Sequence, residues 1–206
     1  MSQDIKVILF DLGNVLVDFD YSLSAKRILN FCDKKPKELY DFFFTSELTL
    51  LFEEGKISPQ EFFNKVKEVL NLKISYEAFI PIWNEIFFLS AKNRAVYSLA
   101  NKLRLRYQVN MLSNINILHY EYLKKSFPVF NVFERVFTSC ELGVAKPNPL
   151  IYRKVLEALA VNADSVFYTD DRVELIKSAH ELGMQAFIFQ GINQLKNDLL
   201  SVGVTL

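Results

Sequence analysis

The sequence predicts an α/β fold: a parallel β-sheet flanked by helices, with a small all-helical cap inserted after the first strand. Three observations carry this expectation. An apolar run, Val7-Ile8-Leu9-Phe10, delivers Asp11 into a turn that contains Gly13. From residue 91 onward, helical and strand patterns alternate. Between the two lies a stretch, residues 18–90, that reads as nearly all helix. Strands spaced by helices of this length form βαβ units and hence a parallel sheet.

The first strand is apolar throughout, as expected for a strand covered on both faces, and Asp11 suits its end rather than its interior. Ser58-Pro59-Gln60-Glu61 is a capping box with Pro at the first helical position, and it opens an amphipathic run through Phe62, Phe63, Val66, Val69 and Leu70. Residues 37–45 and 76–88 give two further helices, with Gly55 marking a turn. The triplet Phe42-Phe43-Phe44 is read as helix-bundle core, and Trp83 as either packing or pocket lining. The alternating part then runs as helix 93–105, strand 107–112, helix 117–125, strand 135–139, helix 149–159, strand 165–169, helix 173–182 and strand 185–189. Gly183 stops the last of these helices. The expected division is an α/β core of residues 1–17 and 91–206 with a helical cap of residues 18–90.

Composition narrows the function. Half of the 206 residues are hydrophobic and 23% are charged, enough for a sizeable core. Lys plus Arg and Asp plus Glu are equal at 24 each, with no basic run or basic helix, so nucleic acid is not the expected partner. Cys32 and Cys140 have no metal-ligand spacing and suit a reducing compartment. No removable apolar leader is expected at the N-terminus, and no run approaches the ~20 apolar residues needed to span a bilayer. The expectation is a cytoplasmic protein with a small-molecule partner and an oligomeric state that the sequence does not fix.

The chemistry sits at the strand ends. Asp11, Ser113-Asn114, Lys146 and Asp170-Asp171 all fall at or just beyond the carboxyl end of a strand. In an open α/β sheet those ends converge on one crevice. Clustered carboxylates make a hard oxygen site suited to Mg²⁺. A lysine beside a Ser/Asn pair supplies a cation and hydrogen-bond donors for an oxyanion. Each residue alone has a plainer reading: Asp11 as a turn residue, Ser113-Asn114 or Asp170-Asp171 as helix caps, Lys146 as a solvated loop lysine. His119 and His180 fall inside helices and are read as structural or surface residues.

In order and strand position, Asp11, Ser113, Lys146 and Asp170-Asp171 resemble the motifs of the haloacid dehalogenase superfamily, over essentially the whole chain. The core is then Rossmann-like. The likeness is closest to a subgroup with an FDLGNV signature that includes bacterial glucose-1-phosphate phosphatases, through residues 10–20, 112–116 with His119, and 142–152. This resemblance implies a Mg²⁺-dependent phosphatase working on a small phosphate ester, a sugar phosphate by preference, through an aspartyl-phosphate. Asp11 would be nucleophile and metal ligand, and the Gly13 carbonyl a further ligand. Asp171 would reach the metal, with Asp170 nearby or bridged by water. Ser113 and the Asn114 backbone would hold phosphate oxygens, and Lys146 would pair with Asp11 and the phosphate.

Two positions depart from that pattern. Phosphatases of the superfamily usually carry a second Asp two residues after the nucleophile as general acid; here it is Gly13. Either the substrate has a good leaving group, such as an anomeric sugar oxygen, or another acid stands in, with Asp18 and Asp20 the nearest candidates. Leu175 occupies a place where related chains often have Asn or Asp, and Glu174 is the candidate to compensate. Two alternatives stand beside this reading: a catalytically silent binding or regulatory protein, which Gly13 and Leu175 favour, and a metal-independent 2-haloacid dehalogenase. The paired Asp170-Asp171 argues against the latter.

Overall fold

The computed structural model describes residues 4–206, without the side chains at 40, 41, 44, 45 and 129. The first strand, β1 (Val7–Phe10), leads through a turn into β2 (Asp18–Phe19). The helices α1 (Tyr21–Ile28), α2 (Pro36–Thr45), α3 (Glu47–Glu53), α4 (Pro59–Leu70) and α5 (Tyr76–Asn84) follow, and β3 (Phe87–Phe88) closes the insertion. Then come α6 (Ala91–Leu103), β4 (Gln108–Ser113), α7 (Ile117–Ser126), β5 (Arg135–Thr138), α8 (Ser139–Leu142) and α9 (Pro149–Leu159). The chain ends with β6 (Val166–Asp170), α10 (Val173–Glu181), β7 (Gln185–Ile188) and α11 (Ile192–Ser201).

The main sheet is parallel with strand order β5-β4-β1-β6-β7. The chain builds outward from β1 to β4 and β5, then returns to place β6 on the other side of β1. That reversal makes the carboxyl end of β1 a topological switch point, where ligands bind in such sheets. Every residue of β1 and of β6 is buried, because helices cover both faces. Alternate residues feed two separate cores. Ile8, Phe10, Val109, Met111 and Phe167 face one, while Val7, Leu9, Leu112, Val166 and Tyr168 face the other.

The helical insertion has a third apolar cluster of its own, built around Trp83 with Phe43, Phe62 and Phe79 against it. Phe52 and Phe62 stack at 4.3 Å between ring centroids. Trp83 is therefore core rather than pocket lining, whereas Phe43 packs on it and also lines the cavity over the strand ends; the Phe44 side chain lies outside the described residues. Helix α4 begins at the expected capping box: Glu61 N donates to Ser58 Oγ at 3.2 Å, and Ser58 N donates to Glu61 Oε2 at 2.8 Å.

The insertion is not wholly helical. Asp18–Phe19 pairs antiparallel with Phe87–Phe88, so the segment leaves and re-enters the sheet domain through a short ribbon. The helix expected to reach residue 88 accordingly stops at Asn84, with Pro81 already removing one N–H from it. Strands of two residues carry no readable periodicity, so sequence patterning does not reveal this ribbon. Nor does it single out α11 or the two short helices α1 and α3.

His119 on α7 joins the insertion to the sheet. Its Nε2–H donates to the Trp83 carbonyl at 3.0 Å, and its Nδ1 accepts from Asn116 Nδ2 at 3.0 Å. The imidazole stacks on the Trp83 ring at 5.1 Å. Burial pulls its pKa from 6.5 down to about 4, the Trp83 carbonyl offsetting only part of that. The unfolded chain therefore takes up a proton that the folded chain refuses as pH falls from about 6.5 to about 4. Stability is expected to drop by roughly 3 kcal/mol over that window from this group alone. Urea unfolding at pH 7 and pH 4 checks this: in His119→Gln the acid-induced loss should shrink by about that amount, and an unchanged loss would remove His119 as the cause.

Candidate active site

Register explains how the strand-end residues meet. Leu9 lies beside Tyr168 and Phe10 beside Thr169, and Asp11 N donates to the Thr169 carbonyl at 2.9 Å. Asp11 and Asp170 thus emerge side by side on one face of adjacent strands. Asp11, Asp170 and Asp171 each bring a carboxylate oxygen within 4.8 Å of the others.

Lys146, only 3% exposed, reaches this cluster from the loop before α9. Its three N–H groups are shared among four acceptors: Asp11 Oδ1 at 2.7 Å, Asp170 Oδ2 at 2.6 Å, the Leu112 carbonyl at 3.1 Å and Tyr168 OH at 3.1 Å. The loop is held by Asn114, whose side-chain amide makes a reciprocal pair with the Lys146 backbone, both contacts at 2.8 Å. Tyr168 OH also donates to Asp170 Oδ2, and Arg172 N donates to Asp170 Oδ1 at 3.0 Å. Both Asp170 oxygens are therefore occupied by donors. Asp171 differs: Asn14 Nδ2 donates to its Oδ2 at 2.9 Å, and its other oxygen accepts from no described side chain.

The electrostatics follow from burial. Desolvation and the neighbouring Asp170 charge push Asp11 upward against the pull of Lys146. Burial would raise Asp170 too, but Lys146, Tyr168 and Arg172 N outweigh it and hold its carboxyl below the usual range. Burial opposes the charge on Lys146, yet Asp11 and Asp170 keep it firmly protonated. Asp171 is raised, chiefly by burial. One lysine does not balance three carboxylates, so the donor set fits a divalent cation with a preference for oxygen.

A cavity of about 750 Å³ opens over this cluster between the sheet ends and the helical insertion. Asp11, Gly13, Ser113, Asn114, Lys146, Asp170 and Asp171 all line it, so every strand-end residue singled out from the sequence meets at one place. Ser113 ends β4, and the cap of α7 is Asn116 instead, whose side chain accepts from His119 N at 3.0 Å. Asp170 and Asp171 are likewise not the N-cap of α10; that position is Arg172.

Several expectations fail here. Asp18 is tied to Lys92 at 2.7 Å and to Asn93 at 3.1 Å, and Asp20 caps α1 by accepting from Ser22 N at 2.8 Å. Neither lines the cavity, so neither stands in for an acid at position 13. Glu174 is exposed and paired with Arg172 at 2.7 Å, away from the carboxylates. Leu175 is buried and helps line the cavity with its apolar side chain. The support that Leu175 cannot give is supplied by Asn14 and Tyr168, which sequence reasoning does not single out. Tyr168 is readable in principle, since it sits two residues before Asp170 on one strand and so shares its face. Asn14 sits at φ +56°, a left-handed turn residue directed back at Asp171.

Gly13 has its own reason. A Cβ built there would lie 2.8 Å from the edge of the Phe19 ring. The aromatic ring on β2 thus fills the space a side chain at 13 would enter.

Comparisons with known proteins agree with this architecture. The chain belongs to the haloacid dehalogenase-like hydrolase family, whose sequence profile matches residues 5–183. It is 25% identical over 89% of its length, and 91% of the relative's, to a D-ribitol-5-phosphate phosphatase of Bacteroides thetaiotaomicron. A HAD family enzyme of that organism, crystallised with magnesium and inorganic phosphate, superposes with a TM-score of 0.79 at 29% identity, covering 89% of this chain and 93% of that one. A HAD-like hydrolase of Porphyromonas gingivalis shares the fold with a TM-score of 0.82 at 21% identity, covering 98% and 99% of the two chains.

Proposed function

We propose that this protein is a Mg²⁺-dependent phosphomonoester hydrolase acting on a small metabolite, a sugar phosphate by preference, through an aspartyl-phosphate on Asp11. The observation that carries it is the buried lysine shared between Asp11 and Asp170 beside a carboxylate, Asp171, with an oxygen to spare. That set supplies a nucleophile, a fixed cation and a metal-binding face at one switch point.

In this reading Asp11, Asp171 and the Gly13 carbonyl hold Mg²⁺, which would neutralise charge on the phosphoryl oxygens when bound. Asp170 is better suited to orienting Lys146 than to ligating, since both its oxygens already accept hydrogen bonds. Asp11 attacks phosphorus, Lys146 balances charge on the transferring group, and Ser113 with the Asn114 backbone N–H orients a phosphate oxygen. Asn114's side chain is engaged with Lys146, so its contribution through the side chain is positional.

The division of labour proposed is a core of residues 1–17 and 91–206 and a cap of residues 18–90. A separate apolar cluster in the insertion and the two-stranded ribbon at its root support it. The cavity volume suits a sugar phosphate or similar metabolite. Two relatives, the D-ribitol-5-phosphate phosphatase and a sesquiterpene phosphatase of Aspergillus oryzae, support a small phosphate ester as the substrate. Among the described residues no helix is long and apolar enough to cross a membrane, and both cysteines are free. The setting proposed is the reducing cytoplasm, with a small-molecule partner rather than nucleic acid.

Phosphate release from sugar phosphates, nucleotides and an aryl phosphate, with Mg²⁺ and with EDTA, tests the reading. Turnover that needs Mg²⁺ and ranks a sugar phosphate highest is expected. A folded, Mg²⁺-binding protein that releases no phosphate would favour a silent binding protein instead, and metal-independent release of halide from a 2-haloacid would favour a dehalogenase.

A further inference from the structure

We propose that Glu53, at the end of α3 in the helical insertion, is the general acid and base of the reaction, taking the role that Gly13 leaves vacant. The inference rests on the phosphatase reading above. Three independent features of the geometry point to it.

First, position 13 cannot be refilled locally. It has no side chain, the Phe19 ring occupies the space beside it, and Asp18 and Asp20 are engaged elsewhere. Second, Glu53 lines the same cavity as Asp11 and Lys146, from the helical insertion. Its carboxyl accepts a hydrogen bond from no described side chain, in contrast to Asp170.

Third, its backbone is latched to the sheet domain. Ser139 Oγ donates to the Glu53 carbonyl at 2.6 Å, and Ser139 Oγ also accepts from Ile115 N at 2.9 Å, beside the Ser113-Asn114 corner. The next residue, Glu54, accepts from Ala145 N at 3.0 Å, one residue before Lys146. Gly55, at φ +64°, lets the chain pass so close to Cys140 that a Cβ would lie 2.2 Å from its carbonyl oxygen. The end of an inserted helix is in this way tied by its backbone and by Glu54 to the loops beside the strand ends.

The groups facing Glu53 set its protonation. Arg172 and Lys146 come from the sheet side, Tyr21 from α1 and Glu54 from its own helix end, with Glu47 and the Asp11, Asp170 and Asp171 carboxylates elsewhere on the cavity wall. Burial raises the Glu53 carboxyl from 4.5 to about 7; Arg172 and Lys146 pull against this and Glu54 adds to it. An acid with that value is protonated often enough to give a proton and ionised often enough to take one.

The steps balance. The Asp11 carboxylate forms a bond to phosphorus as the ester P–O bond breaks, and the leaving oxygen takes the Glu53 proton to depart as an alcohol. Water then attacks the aspartyl-phosphate, Glu53 takes the proton it loses, and phosphate departs, returning Asp11 to its carboxylate and Glu53 to its acid form.

The test compares wild type with Glu53→Gln and Glu53→Asp in rapid-quench measurement of the first turnover. It uses 4-nitrophenyl phosphate, whose phenolate leaves unaided, and the best primary alkyl phosphate from the panel. Glu53→Gln is expected to lose about 10²–10⁴-fold in alcohol release but only a few-fold in nitrophenolate release. The wild-type first-turnover rate on the alkyl ester should fall as pH rises through about 7, where Glu53 loses its proton. That fall should be absent in Glu53→Gln, and Glu53→Asp should recover part of the loss. Equal losses on both esters, a loss below about threefold on the alkyl ester, or the selective loss appearing in Glu47→Gln instead would overturn the assignment while leaving the phosphatase standing. Absence of Mg²⁺-dependent turnover in the wild type on either ester would overturn both.

Discussion

Asp11→Asn is expected to lower phosphate release by at least about four orders of magnitude, with the fold retained or made more stable. An amide cannot form the acyl-phosphate bond, and losing a covalent nucleophile removes the pathway rather than weakening it. The stability half follows from the electrostatics of the cluster. Burial and the adjacent Asp170 outweigh Lys146 at this position, so the folded state disfavours the Asp11 charge. Asn keeps the shape, removes that charge, and leaves Lys146 its contact with Asp170 at 2.6 Å. Activity and stability should therefore move in opposite directions, as at sites that hold strain for function. Phosphate-release kinetics beside a thermal melt at pH 7 decide it. Residual turnover within a hundredfold of wild type would rule Asp11 out as nucleophile.

Lys146→Met should have the opposite signature, a loss of both activity and stability. Lys146 makes four contacts at 2.6–3.1 Å in a place almost closed to water. Removing it strands Asp11 and Asp170 as buried carboxylates without their cation, which costs about 3–5 kcal/mol. The sign of the pH dependence is a further check. Without Lys146 the Asp11 carboxyl, already raised, is raised further, and Asp170 is raised relative to wild type because it loses the strongest of the interactions that lower it. A group raised in that way contributes stability that is present below the unfolded value and lost as pH rises through the folded one. The variant should therefore recover stability relative to wild type as pH is lowered from 7 toward 4. Urea unfolding at several pH values measures this, and a loss under about 1 kcal/mol at pH 7, with a wild-type pH slope, would sink the argument.

Both variants rest on residues legible in the amino-acid sequence. Asp11, Lys146 and Asp170 stand at or just beyond the ends of apolar runs, and in a parallel sheet those ends share a crevice. The sheet itself is readable for the same reason: four- to six-residue apolar strands separated by amphipathic helices admit few arrangements. The acid is a different matter. Sequence reasoning looks for it at Asp18 or Asp20, close to the nucleophile, because the usual arrangement puts it two residues away. Glu53 lies on a short helix, and nothing in its local pattern distinguishes it from a solvated glutamate.

Sequence alone therefore determined the parallel sheet, the inserted helices and the convergence of the strand-end residues, since all three depend on periodicity and on the direction of consecutive strands. Tertiary structure alone decided which donors each carboxylate accepts, that Phe19 lies over Gly13, and that α3 is latched to the loop before Lys146. Those are contacts between segments far apart in the chain, such as Asn14 with Asp171 and Glu54 with Ala145. The physical reason is that hydrogen-bond partnership and desolvation depend on distances in space, which local propensity does not encode; only the packed fold brings a lone helix-end glutamate and a strand-end aspartate to one cavity.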